Sequence, residues 1–321
     1  MRSTKGLGVA LSMGGARGWA HVGVLRGLER LGIVPEFVTG CSMGALVGAA
    51  WAGDRLDALE TWAREMTAQA VLFYLDLKLF GGGLVEGREI LGISERLGLP
   101  ERIEDLPRRL SVVASDLATG GEYWFTEGPL ADAVRASVAI PAVFTPRRVG
   151  DRWLVDGALV DPLPITGCRR MGARRVIAVN ANATLGKPLW RPRPQTTIAA
   201  GMLSRVIRPD MLPAGIRSWA GLPGDAETAE RAEAVPPLLC DPGYYEVVMT
   251  AIDILCEGVL KHRLDLDPPD LLIDLDLRHV GILELHRAAE AIDAGAAAVE
   301  AHADAILALI AEDAVPRRLA S

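Results

Sequence analysis

Two glycine-rich turns, each directly behind a short apolar run, fall within the first 53 residues of this 321-residue chain. Leu7 to Leu11 leads into Ser12-Met13-Gly14-Gly15-Ala16-Arg17-Gly18, and Phe37 to Thr39 leads into Gly40-Cys41-Ser42-Met43-Gly44. Between them Val22, Leu25, Leu28 and Leu31 recur near helical spacing until Gly32, and Ser42 to Ala52 carries the small and apolar residues of a tightly packed helix. Two strands joined by one helix lie parallel and adjacent with a right-handed crossover, so their carboxyl ends share an edge. Open α/β sheets bind their ligands at that edge. The pattern therefore predicts an α/β domain with a mainly parallel central sheet, helices on both faces, and the two turns facing each other across one crevice.

Farther on, Leu110 to Asp116 and Gly121 to Thr126 flank a Thr-Gly-Gly turn and read as a hairpin. Arg147 to Ala158 reads as a second hairpin turning at Gly150-Asp151, and Arg174 to Asn182 as one more buried strand. Residues 185–242 are rich in proline and carry no sustained period. A helix near Tyr244 to Lys261, a strand near Leu271 to Leu275 and a long helix from Leu283 follow. That last helix has an apolar stripe at Leu285, Ala288, Ala289, Ile292, Ala296, Val299, Ala303, Ile306 and Ile310, which signals packing in the core or in a dimer. Three segments result: a core over 5–182, a basic lid or docking segment over 183–242, and a C-terminal part over 243–321 that completes the same domain.

Half of the residues are apolar, enough for a large core, and the net charge of −7 argues against a nucleic-acid field over the whole surface. Cys41, Cys168, Cys240 and Cys256 are scattered without C-x-x-C spacing and read as free thiols in a reducing compartment. The start of the chain imitates a secretory signal, but its apolar stretch is short, glycine-interrupted and followed by Arg17, so the cytoplasm is the expected location. No uncharged apolar run reaches the length of a spanning helix. Peripheral contact with the inner membrane face stays open, as does a homodimer.

Ser42 between Gly40 and Gly44 fits a nucleophile on a strained strand-to-helix turn, where small neighbours expose the hydroxyl and the helix N-terminus favours negative charge. It fits equally a serine capping a helix among glycines that allow close packing. The Gly14–Gly15 turn can supply backbone N–H donors to a developing oxyanion, which favours the nucleophile. A dinucleotide site uses similar glycines but wants an acid at the end of the second strand. Here that strand ends in Gly40-Cys41-Ser42, and Glu36 lies at its beginning. None of the five histidines has a decisive context: His21 sits one turn into the first helix, and His279 would complete the order Ser42, Asp156, His279 only on a fold with its nucleophile later in the chain.

Taken together, Gly14-Gly15-Ala16-Arg17-Gly18, Gly40-Cys41-Ser42-Met43-Gly44 and Val155-Asp156-Gly157-Ala158-Leu159-Val160-Asp161-Pro162 resemble the bacterial patatin-like phospholipases, particularly the RssA-type branch. The resemblance covers roughly residues 5–182, and the segment from Pro268 to Gly295 also looks like that branch. It implies a patatin-like three-layer α/β/α fold and a serine–aspartate dyad without histidine. Ser42 is then the nucleophile, Asp156 the base, and Gly14, Gly15 and the amides of Ala16 and Arg17 the oxyanion site, with no metal or organic cofactor. Gly18, Gly40, Gly44, Gly157 and Ala158 belong to the same motifs. Two departures stand out: Met13 replaces a first glycine, and Asp161 stands where Asn is common, adding a negative charge near the site.

The reaction implied is hydrolysis of a lipid carboxylic ester through an acyl-enzyme. Acyl transfer by the same dyad, or a regulatory protein that keeps the fold and acts by binding, are the alternatives. Arg17 either meets an anionic group of the substrate or braces the turn against an acid. Cys41, flanking the turn, is expected to point away from the crevice as packing. Lys187, Arg191, Arg193, Arg205, Arg208 and Arg217, mixed with Trp190 and Trp219, suit an anionic lipid surface, and suit equally a surface excursion packed against a neighbouring subunit or an unstructured loop.

Overall fold

The computed structural model describes residues 5–74, 88–183 and 244–311. The chain divides into two compact units, Met1–Leu185 with Leu255–Ser321, and Gly186–Ile254. The architecture below is that of the first unit; the six basic residues between Lys187 and Arg217 lie outside the described residues.

The chain opens with β1 (Leu7–Leu11), a 3-10 turn (Gly15–Trp19), α1 (Ala20–Arg30), β2 (Phe37–Cys41) and α2 (Met43–Ala52). Then come α3 (Leu56–Arg64), α4 (Ala68–Tyr74), α5 (Arg88–Arg96), β3 (Arg109–Asp116), β4 (Glu122–Phe125) and α6 (Leu130–Ser137). The hairpin β5 (Arg147–Val149) and β6 (Arg152–Asp156), α7 (Ile165–Arg170) and β7 (Arg175–Asn180) follow. The final elements are α8 (Tyr244–Leu266), β8 (Leu271–Asp274), α9 (Ala288–Ala301) and α10 (Ala303–Ala311).

The eight strands among the described residues form one sheet. Strands β8, β7, β1, β2 and β3 are parallel neighbours in that order, while β4 and β6 pair antiparallel with β3, and β5 with β6. Strands β1, β2, β3 and β7 are buried on both faces, so alternate residues feed two cores. Val9, Leu11, Val38, Ile177 and Val179 pack with α1, α2, α6 and α9. Ala10, Phe37, Val176 and Ala178 pack with α7 and with Leu260 of α8. The result is the mainly parallel sheet between two helical layers that the opening turns imply. Every residue of α2 is buried, as a helix apolar on all sides must be.

The way β3 uses its edges decides where the site lies. Val112 and Val113 pair with β2 on one edge and with β4 on the other. Ala114 and Ser115 pair with β4 and with β6. Strands β2 and β6 therefore occupy the same edge of β3 and run toward each other. Cys41, the last residue of β2, lies opposite Val113, and Asp156, the last residue of β6, opposite Ala114.

The C-terminal apolar stripe is a core seam against α1, and it is not one long helix. The chain breaks at His302, whose backbone leaves helical geometry, and α9 and α10 are bent by 58°. Buried positions are Ala288, Ala291, Ile292, Gly295 and Val299, then Ile306 and Ile310, whereas Ala289 faces solvent. Glycines set the approach: a Cβ on Gly23 would overlap the Ile292 carbonyl oxygen, and one on Gly295 the Ala20 carbonyl oxygen. No single described helix is long and apolar enough to cross a membrane.

This seam yields a stability prediction. Gly23→Ala forces the two helix backbones apart and is expected to cost about 2–4 kcal/mol, in the range of overpacked cores. Gly258→Ala, in α8 where a Cβ meets nothing within 4 Å, is expected to gain about 0.5–1 kcal/mol. Urea denaturation of both variants checks the pair.

Candidate active site

Ser42 stands between β2 and α2 with φ 55° and ψ −122°, a left-handed backbone that L-residues rarely adopt. Such a conformation costs about 1–3 kcal/mol and persists only where the surroundings impose it. Here they do. A Cβ on Gly40 would overlap the Gly44 carbonyl oxygen, and one on Gly44 would lie 2.6 Å from the Ser12 carbonyl oxygen. The glycines thus let the sharp turn press against the end of β1, as the resemblance implies.

The side chain of Ser42 makes no capping bond to α2. Its Oγ donates instead to Asp156 Oδ2 at 2.6 Å, with both residues almost wholly buried. The capping alternative is thereby removed. Asp156 Oδ1 accepts from the Ala158 amide at 2.9 Å and lies 3.8 Å from Cys41 Sγ. Burial pushes the Asp156 carboxyl up to about 6, against the opposing pull of these donors. Cys41 does not point away as expected: it is fully buried against Asp156, and burial holds its thiol well above the usual range, so the S–H stays protonated. The thiol contact follows from the register, because Cys41 is the β2 residue nearest the end of β6.

The glycine-rich turn is fixed by residues far along the chain. Met13 donates its N–H to Pro162 at 2.9 Å, and Ala16 donates to the Ile282 carbonyl at 2.8 Å. Arg17 N–H closes back onto Gly14 O at 3.1 Å. The amides of Ala16 and Arg17 are therefore engaged within the fold, while those of Gly14 and Gly15 meet no acceptor among the described residues. Met13 in place of glycine is readily accommodated, because its φ is not positive; the left-handed position is Gly15, at φ 52°. Gly18 gives the two turns their contact, since a Cβ there would lie 2.6 Å from Met43 Cβ.

Arg17 braces the turn through a carbonyl and an amide: Nε donates to Val280 O at 2.8 Å and Nη1 to Asn182 Oδ1 at 2.9 Å. Asn182 Nδ2 in turn donates to Met13 O at 2.8 Å. His21 is fully buried beneath the turn, with Nε2 donating to Ser12 O at 2.8 Å, and burial lowers its pKa to about 4, so the ring is neutral. His279 lies at the surface, paired with Glu290 at 2.7 Å. Neither ring bonds to Ser42 or Asp156.

A model of the patatin-like phospholipase family matches residues 9–169. A Mycobacterium tuberculosis protein described as an uncharacterized NTE family protein is 34% identical over 331 residues, spanning 92% of this chain and 90% of that protein. The chain belongs to the patatin-like phospholipase family. This patatin-like chain is also 32% identical over 187 residues to the neuropathy target esterase sws of Drosophila melanogaster, a match spanning 55% of this chain and 13% of the esterase. Among solved structures, VipD from Legionella pneumophila aligns with a TM-score of 0.42 at 13% identity, over 93% of this chain and 66% of VipD.

Asp161 behaves differently from the expectation of an added negative charge. It is 1% exposed, its Oδ2 has no hydrogen-bond partner among the described residues, and burial pushes its carboxyl up to about 7 despite Arg263 and Arg170 nearby. The neutral acid thus predominates below that pH and resembles the amide common at this position. A carboxyl whose folded pKa is raised stabilises the fold fully below its unfolded value and loses that contribution as pH rises through about 7. Asp161→Asn is accordingly expected to raise the unfolding free energy at pH 8 by about 2–4 kcal/mol and to change it little near pH 4. Urea titrations of both proteins at the two pH values measure the difference.

Proposed function

We propose that this chain is a serine lipid hydrolase, with Ser42 as nucleophile and Asp156 as its base, cleaving a carboxylic ester through an acyl-enzyme. The observation that carries the reading is the buried 2.6 Å hydrogen bond from Ser42 Oγ to Asp156 Oδ2 at a strained turn that leaves the hydroxyl unused by α2. A carboxylate is a weak base for an alcohol, and a pKa raised to about 6 brings it closer to the operating pH.

In the first half-reaction Ser42 Oγ attacks the ester carbonyl carbon while Asp156 Oδ2 takes its proton. The carbonyl electron pair moves to oxygen, and the oxyanion is stabilised by the Gly14 and Gly15 amides and by the N-terminal end of α2. Collapse expels the alcohol, which receives the proton from Asp156. Water then attacks the acyl-serine while Asp156 takes its proton, and as the tetrahedral intermediate collapses Asp156 returns that proton to Ser42 Oγ and the carboxylic acid departs. No histidine is required, because Asp156 performs both proton transfers.

The phospholipases that give the family its name and the esterase name of a partial relative support a lipid ester as substrate. Within the family we assign the chain to the RssA-type branch on its motifs. The cytoplasm is the proposed location, with peripheral contact to anionic membrane through the basic residues between Lys187 and Arg217.

Three measurements test the dyad. Ser42→Ala is expected to abolish ester hydrolysis and fluorophosphonate labelling. Asp156→Asn is expected to lower kcat by about three to four orders of magnitude while the protein stays folded. Because the base must be ionised, kcat/KM of the wild type is expected to fall about tenfold per unit below pH 6 and to level off above it. Full Ser42-dependent hydrolysis by Asp156→Asn would remove the aspartate from the mechanism.

A further inference from the structure

The elbow needs a restraint that the glycines do not provide, because they only allow the strained backbone and do not hold it. At Ser42 the β-ladder has no place left: the next position along that edge of β3, Ala114, is already taken by Asp156. The Ser42 amide therefore finds its acceptor outside the sheet. It donates to the hydroxyl of Ser137 at 2.8 Å, and Ser137 Oγ donates onward to the Val113 carbonyl at 2.7 Å. Ser137 is completely buried at the end of α6. Its single hydroxyl links the residue after β2 to the β3 residue that ends the β2 ladder.

The same short segment also grips the other partner. The Asp156 amide donates to the Ala139 carbonyl at 3.0 Å, two residues beyond Ser137. On β3 itself, Ser115 Oγ donates to the Asp156 carbonyl at 2.7 Å. Residues 137–139 thus hold the backbone amides of both Ser42 and Asp156, which approach from opposite directions and share no covalent connection nearer than 114 residues.

We propose that Ser137 is a positioning residue: its hydroxyl, acting within a clamp formed by residues 137–139, sets the separation and alignment of Ser42 and Asp156. It touches neither reacting atom, so its influence passes through the Ser42 backbone. The catalytic consequence rests on the hydrolase reading above, whereas the geometric one stands without it. Loss of the hydroxyl leaves the Ser42 N–H and the Val113 carbonyl unpaired in a dry interior, and the turn can relieve its strain only by moving Ser42 away from Asp156.

The experiment compares wild type with Ser137→Ala, Ser137→Cys and Thr39→Val. Thr39→Val serves as the matched control, because it deletes another buried hydroxyl, one that donates to the Pro164 carbonyl at 2.7 Å. With a short-chain nitrophenyl ester as probe, Ser137→Ala is expected to lose about 10- to 100-fold in kcat with KM within about threefold. Ser137→Cys should fall in between, and Thr39→Val should keep wild-type kcat at similar thermal stability. A crystal structure of Ser137→Ala reads the clamp directly: the separation of Ser42 Oγ from Asp156 Oδ2 is expected to exceed hydrogen-bond reach. An unchanged Ser42 φ and an unchanged contact in those crystals, or a kcat equal to that of Thr39→Val, overturns the proposal. Wild type that neither hydrolyses the ester nor takes up a fluorophosphonate would sink the hydrolase reading alone, since the crystallographic comparison needs no turnover.

Discussion

The site depends on two strands ending head to head along one edge of a third. Strand β3 is longer than the contact either neighbour makes with it, so its edge first carries β2 and then β6 running in the opposite sense. Where they meet, each chain must leave the sheet, and the residues at the two exits, Ser42 and Asp156, are driven together. A parallel neighbour alone would have continued past the serine, and an antiparallel neighbour one register farther along would have left the carboxylate out of reach. The 2.6 Å contact is thus a consequence of sheet topology as much as of the side chains that make it.

That junction is buried, and burial has opposite effects on stability and on chemistry. Two carboxyls, Asp156 and Asp161, are held in a dry interior with pKa values raised to about 6 and about 7. The fold would be more stable if both stayed protonated. On the proposed reading, Asp156 gains usefulness as a base from the same desolvation that makes its ionised form unfavourable. Asp161 shows the difference between the two: its Oδ2 has no hydrogen-bond partner among the described residues, so its ionisation weakens the fold.

The extent to which the sequence discloses this arrangement follows from what each signal encodes. Local periodicity and turn glycines make the order β1, α1, β2, α2 legible, along with both hairpins and β7, because those patterns reflect contacts within a few residues. The motif around Asp156 is legible only by resemblance, since an Asp-Gly pair after an apolar strand is equally a turn. Ser137 is not legible at all. Its stretch, Arg135-Ala136-Ser137-Val138-Ala139, belongs to none of the motifs singled out in the sequence, and only the fold brings it beside Ser42, 95 residues away in sequence. The break at His302 and the orientation of Cys41 escape for a similar reason: each is decided by a tertiary neighbour rather than by spacing. The basic segment from Lys187 to Arg217 has a clear composition, yet composition names a preferred surface and not a position in the fold.

The glycine-rich turn carries the argument from topology to the chain's far end. A turn that presents unpaired amides to an anion must be rigid, or the amides will find other acceptors. Here rigidity comes from Pro162, Asn182, Val280 and Ile282, which receive or orient the turn's polar groups. Gly15 is pressed so closely against Ile282 that any side chain would overlap its carbonyl oxygen. The Ala16 amide serves that anchoring and the Arg17 amide closes back onto Gly14 O, so on the proposed reading Gly14 and Gly15 supply the donors to the oxyanion. The residues after β8 therefore belong to the site as firmly as the motifs near the start: without their carbonyls the Ala16 amide would lose its acceptor and the Arg17 side chain one of its anchors. The proposed chemistry rests on Ser42 and Asp156, and the turn beside them is held by residues from both sides of the sequence.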